Sequence, residues 1–224
     1  SIDADCLAAQ ALFRFCEIDY MAVDCNNEYM SPNGKLPFLL RSSGRVTAGF
    51  DAVCAFTKLR LGGAPLSEFL SDAKRVEMDA LVALVRLRLV PAAEYELWCD
   101  SEHYRQVALP LYGDSRFPWP LSRLLCNIRS RSVEARVLGS NGAMTVELLY
   151  EGAASAYGAL AEKLGVQAYF FGDRVTELDA LVYAHVAWVL AAPLANARLR
   201  DALKSRPNLV AFCQRVQDSF FAKK

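Results

Sequence analysis

Few side chains in this sequence have the type and spacing to do chemistry. Cys6 opens an apolar-periodic stretch, where the amides of a helix N-terminus lower a thiol pKa. Asp3 and Asp5 flank it, and nearby negative charge disfavours a thiolate. Cys6 also shares a helical face with Ala9 and Phe13, so a small buried apolar residue outweighs a nucleophile. The seven cysteines are scattered and form no C-x-x-C pair, which argues against a disulfide framework or a zinc site and for a reducing compartment. Two histidines, His103 and His185, are too few for a histidine-rich metal site. No metal and no cofactor is expected.

Thr176-Glu177-Leu178-Asp179 is the clearest local signal. Thr176 can cap a helix, and Asp179 three residues on can reach back to the cap's amide. That role is structural: it starts the apolar helix that follows. His185 on that helix reads as a satisfied core side chain rather than a base or ligand. The apolar run 180–195 carries His185 and Pro193 and falls short of the ~20 residues of a bilayer span. It is expected to be a core helix.

The elements that must position these groups follow from periodicity. Ala9, Leu12, Phe13 and Cys16 mark one face of a helix over residues 5–16. Tyr20–Cys25 suits a strand. Met30-Ser31-Pro32-Asn33-Gly34 is a turn cluster. Leu36–Leu40 reads as a strand buried on both faces, and Ser42-Ser43-Gly44 as a hairpin turn into Arg45–Ala48. Phe50–Leu59 is helical again, with Val53, Phe56 and Leu59 inward.

Leu61-Gly62-Gly63-Ala64-Pro65 is the only plausible linker. Beyond it the pattern is helical over 71–100, with Pro91 expected to kink or break it. Residues 101–120 are expected to be irregular. Helices follow over about 121–138 and 145–164, the latter closed by Gly165, and over about 177–192, 196–204 and 208–220.

Helix, strand, turn, strand, strand, helix is the order of a thioredoxin-like domain that lacks its opening strand. The expected fold is therefore α+β. A thioredoxin-like domain over 1–60, its first strand missing from this chain, precedes an all-α domain over 66–224, which the family resemblance given below implies is of the glutathione-transferase C-terminal kind. In such a fold Leu36-Pro37 is a cis bond at the start of a strand. It shapes the backbone to pair with an extended peptide such as glutathione. The ligand's carboxylate then needs a Glu-Ser or Gln-Ser pair opening the next helix. Gly49 and Phe50 stand there instead. Glycine offers no acceptor, and Phe50 has no hydroxyl and fills the carboxylate's space. Glutathione binding is not expected.

The chain carries 25 basic and 25 acidic residues, so no basic surplus argues for nucleic acid. Phe117-Pro118-Trp119-Pro120 is an aromatic-proline cluster. Phe117 and Trp119 are either partner anchors or a plug between the helices they join.

Several strings together resemble the metaxin family. They are Glu28-Tyr29-Met30-Ser31-Pro32-Asn33-Gly34-Lys35-Leu36-Pro37-Phe38, then Pro118-Trp119-Pro120-Leu121, then Tyr169-Phe170-Phe171 with Thr176–Val182. Asn208-Leu209 with Ala211-Phe212-Cys213 and Arg215 completes the set. The resemblance implies a transferase-like architecture without transferase activity. It implies a peripheral place on the cytosolic face of the mitochondrial outer membrane, in the machinery that sorts and assembles β-barrel proteins. The partners it implies are a metaxin-1-like protein in a heterodimer, an outer-membrane β-barrel assembly protein and the Miro GTPases of mitochondrial transport. The absence of an apolar span favours the family's anchorless branch. The competing expectation is a divergent glutathione-dependent transferase or thiol enzyme using Cys6 or a residue upstream of this sequence.

Overall fold

The structure is a computed structural model and describes residues 3–23, 30–34, 36–113, 120–139, 144–192 and 197–222. Helix α1 (Ala4–Phe15) starts where the Asp3 carboxylate accepts the Cys6 amide at 3.0 Å. Its apolar face, Ala8, Ala11, Leu12 and Phe15, is buried. The small residues on that face let α1 lie along α8 (Glu177–Ala191).

Strands β1 (Phe38–Leu40) and β2 (Val46–Ala48) pair antiparallel, Leu39 opposite Thr47. Arg41 and Arg45 close the hairpin, with Gly44 at φ +77°. That conformation suits glycine. The Leu36–Pro37 peptide is cis. Helix α2 (Phe50–Arg60) follows at once and packs against α1 and β2.

Three expectations for this half change. Leu59 faces outward at 71% exposure, since the buried face of α2 is Phe50, Val53 and Thr57. Tyr20–Val23 forms no strand, because a strand needs a ladder neighbour and none lies beside it among the described residues. Leu40 is 66% exposed, so β1 is not buried on both faces. Among the described residues the sheet has only two strands and cannot cover it.

Helix α3 (Asp72–Leu84) runs into a π-helical turn, Val85–Leu89, and then α4 (Val90–Trp98). Pro91 lacks an N–H to donate and its ring crowds the preceding turn. The widened turn absorbs this: Val90 donates to the Val85 carbonyl, one residue further back than in an α-helix. The helix bulges rather than breaks.

Residues 101–113 are helical, not irregular. The Asp100 carboxylate caps α5 (Ser101–His103) by accepting the Glu102 and His103 amides at 3.0 and 3.1 Å. The chain continues as a π-helix over Tyr104–Gly113, with His103, Val107 and Ala108 buried.

Helix α6 (Leu121–Leu138) rests on α4 and that π-helix. Helix α7 (Val146–Leu164) ends at Gly165 with φ +54°. Helix α8 is apolar all round and buried on nearly every side, as a central core helix must be. Helices α9 (Arg198–Lys204) and α10 (Pro207–Val216) close the bundle. A last π-helical turn, Gln217–Phe221, folds back on α1: Phe220 packs on Phe15 at 4.6 Å, and Arg14 donates to the Phe220 carbonyl at 2.9 Å.

Candidate functional site

A cleft of about 400 Å³ opens where α1, the cis-proline loop and the start of α2 meet the π-turn after α3. It is the place where a thioredoxin-like fold would hold an extended peptide. Its floor follows from local sequence. Gly49 takes φ +89° at the N-cap of α2 and donates its amide to the Pro37 carbonyl at 2.8 Å. It supplies no side-chain cap to the helix. Phe50 begins α2 with its ring buried, at only 5% exposure.

The charges in the cleft are committed to each other. One Arg86 nitrogen meets both Asp5 carboxylate oxygens at 2.7 Å, and another lies 3.7 Å from Asp51. The same guanidinium sits over the Phe50 ring at 5.4 Å. Two carboxylates thus share one cation, and the lining leans negative. An anionic peptide terminus meets an apolar ring, an arginine held by two acids, and no side-chain hydroxyl at the helix start. Arg86 and Asp5 are 81 residues apart, so only the fold brings them together.

Cys6 does not line this cleft. Among the other thiols, burial first of all pushes Cys16 and Cys213 up to about 11 and Cys99 up to about 12, and it raises Cys54 as well. A nucleophilic thiol needs the opposite shift. No group of side chains among the described residues could hold a metal ion.

The capping residues do structural work. The Asp179 carboxylate is fully buried and accepts the Thr176 amide at 2.8 Å, the Thr176 hydroxyl at 2.7 Å and the Phe170 amide at 3.0 Å. Burial raises its pKa to about 6, although those donors pull the other way. Thr176 and Phe170 are thereby tied to the first turn of α8. Tyr169 and Gly172 bridge the same loop, Asn208 donates to the carbonyls of Ala161 and Gly165, and Arg215 donates to that of Ala168. The strings around Tyr169, Thr176 and Asn208 are one hydrogen-bonded unit joining α7, α8 and α10.

His185 is buried, with Nε2 2.8 Å from the Tyr157 hydroxyl and Nδ1 without a hydrogen-bond partner. Burial lowers its pKa to about 4. It is a neutral core side chain that is only half satisfied. Phe117 and Trp119 lie outside the described residues.

Sequence reasoning missed Arg86 and Glu96. Glu96 has no exposed surface and neither carboxylate oxygen has a hydrogen-bond partner. Burial, reinforced by Asp100 and opposed by Arg200, pushes it up to about 8. Its spacing from Ala92 and Ala93 was the available signal, since i and i+4 share a helix face.

Comparison with known proteins places this geometry. The backbone resembles the hookworm glutathione S-transferase Na-GST-3 from Necator americanus, with a TM-score of 0.56 at 12% identity over 98% of this chain and 88% of that one. It also resembles a glutathione transferase from Phanerochaete chrysosporium, with a TM-score of 0.55 at 15% identity over 95% and 91%. At such identities the likeness establishes the fold alone: a thioredoxin-like N-terminal part and a transferase-like helical part. A glutathione S-transferase C-terminal domain pattern matches residues 153–216. Residues 6–130 match a different family, described as outer mitochondrial membrane transport complex protein. Human metaxin-2 is 34% identical over 99% of this chain and 83% of its own length. Mouse metaxin-1 is 29% identical over 100% and 72%. That identity along nearly the whole length decides the matter: the chain belongs to the metaxin family.

Proposed function

We propose that this chain is a non-catalytic subunit of the protein transport complex of the mitochondrial outer membrane. It binds a metaxin-1-like protein as a heterodimer and acts with an outer-membrane β-barrel assembly protein to insert β-barrel precursors. It sits on the cytosolic face, held peripherally; no helix among the described residues is long and apolar enough to cross a membrane. It also acts in mitochondrial organisation and, through Miro GTPases, in mitochondrial transport. We read the scaffold as two domains, 1–60 and 66–224, with the glycine-containing stretch 61–65 as their joint.

The cleft carries this reading. Gly49 and Phe50 offer no side-chain cap or hydroxyl at the start of α2, and Arg86 is held by Asp5 and lies near Asp51. A scaffold that keeps the cis-proline loop and loses the ligand grip is freed for binding proteins. Depleting the protein from cells and following radiolabelled β-barrel precursors into isolated mitochondria tests the role. Assembly into the outer membrane should fall while import into the matrix holds. Unchanged assembly would contradict it. The competing reading, a glutathione-dependent transferase or thiol enzyme, rests on Pro37 and on the Cys6 thiol in the first turn of α1. Titrating glutathione calorimetrically into the unmodified protein separates the two, and saturable heat at millimolar ligand would favour the enzyme.

A further inference from the structure

Helix α6 is turned the wrong way for its sequence. Leu121, Leu124 and Ile128 recur at i, i+3 and i+7, the spacing that normally faces a core. Instead Ser122, Cys126 and Val133 face inward. Leu121, Leu124 and Ile128 are 42%, 56% and 54% exposed. The stripe continues outward through Arg131 and Ala135, both exposed. Three large apolar side chains in line on two turns of one helix are more than the scattered exposure normal for a soluble surface.

The charge on the helix says what covers the stripe. Arg123, Arg129, Arg131 and Arg136 stand against Glu134 alone. Arg136 is paired with Glu94 at 2.8 Å, and Arg129 lies over the Trp98 ring at 4.6 Å. Arg123 and Arg131 are exposed and make no ion pair among the described residues. An apolar stripe beside unpaired guanidinium groups, on a helix about 27 Å long, is the pattern of a helix lying in the plane of an anionic membrane surface. Its leucines enter the boundary between headgroups and chains. Its arginines meet phosphate.

We propose that α6 is a lipid-contacting face that seats the subunit directly on anionic headgroups of the membrane, beside whatever hold its protein partners provide. This rests on the outer-membrane reading above.

Vesicle flotation tests it, with phosphatidylcholine vesicles made with and without phosphatidylinositol. The purified full chain should float with the anionic vesicles, not with the neutral ones, and less in raised salt. Leu124→Asp with Ile128→Asp should abolish flotation. Arg123→Ala with Arg131→Ala should weaken it by about fivefold per arginine. All four side chains are exposed, and circular dichroism melts matching the parent confirm that the variants fold. No flotation of the parent, equal flotation on neutral vesicles, or variants that float like the parent would overturn the proposal. So would self-association in light scattering that Leu124→Asp with Ile128→Asp breaks, because the stripe would then be a protein interface. Each variant is also run in size exclusion with a metaxin-1-like protein. Lost flotation with the complex retained supports a separate lipid face. Loss of the complex in the same variants makes α6 a partner surface and overturns the lipid assignment, leaving the subunit role intact.

Discussion

Replacing Glu96 with glutamine should flatten the pH dependence of stability between pH 6.5 and 8. In the folded chain the Glu96 carboxyl has no exposed surface and no hydrogen-bond partner, and its pKa is pushed up from 4.5 to about 8. In the unfolded chain it returns to about 4.3. The folded state therefore holds a proton that the unfolded state has released. By linkage, stability is full below the unfolded value and is lost as pH rises through the folded one. The slope is about 1.4 kcal/mol per pH unit, or about 2 kcal/mol from pH 6.5 to 8. For a chain of this size that is about 4–8 °C in Tm. Most of the slope in this window belongs to Glu96, because the unfolded chain's imidazoles finish titrating at its lower end and its thiols begin only at its upper end. Asp179, raised to about 6, titrates below it, and so does His185, lowered to about 4. Those two act in opposite senses there, because a histidine with a depressed pKa loses stability as pH falls. Thermal melts by circular dichroism at constant ionic strength should show the parent losing Tm across the window and Glu96→Gln holding it. A parent Tm that is flat from pH 6.5 to 8, or a variant that keeps the slope, would refute the reasoning. The carboxylate would then be solvated or paired in solution.

Asp179→Ala should destabilise the fold by about 3–5 kcal/mol, because it strands two amides and a hydroxyl in the core. Asp179→Asn, which keeps an acceptor oxygen, should lose less, and urea titrations rank the two. The Asp5–Arg86 pair is about a quarter exposed on each side. A double-mutant cycle of Asp5→Asn and Arg86→Met should therefore return only about 1 kcal/mol of coupling, shrinking in raised salt. Coupling near zero would make the contact incidental to the cleft.

Much of this fold is legible in the sequence where the determinants are local. The helices over 121–138, 145–164 and 177–192 follow from 3.6-residue spacing and from punctuation such as Gly165 and Thr176. The illegible parts have physical reasons. Residues 104–113 are wound as a π-helix, whose wider turn scrambles the period that a reader looks for. The Arg86 link to Asp5 spans most of the N-terminal half and has no local signature. Glu96 sits near Glu94, and only its spacing from Ala92 distinguishes the fully buried acid from the half-buried one. On α6 the pattern points the wrong way, since its best apolar stripe faces out. At the cleft, Gly49 and Phe50 are readable as a lost anion grip, but the acids that tie up Arg86 are not.

The central claim is that this scaffold works by binding a family partner and not by turning over a thiol substrate. The most direct measurement mixes the purified full chain with a full-length metaxin-1-like protein at micromolar concentration. Mass is then followed by light scattering behind size exclusion. A single peak at the summed mass of one copy of each is the predicted result. Separate elution of the two proteins would contradict the account.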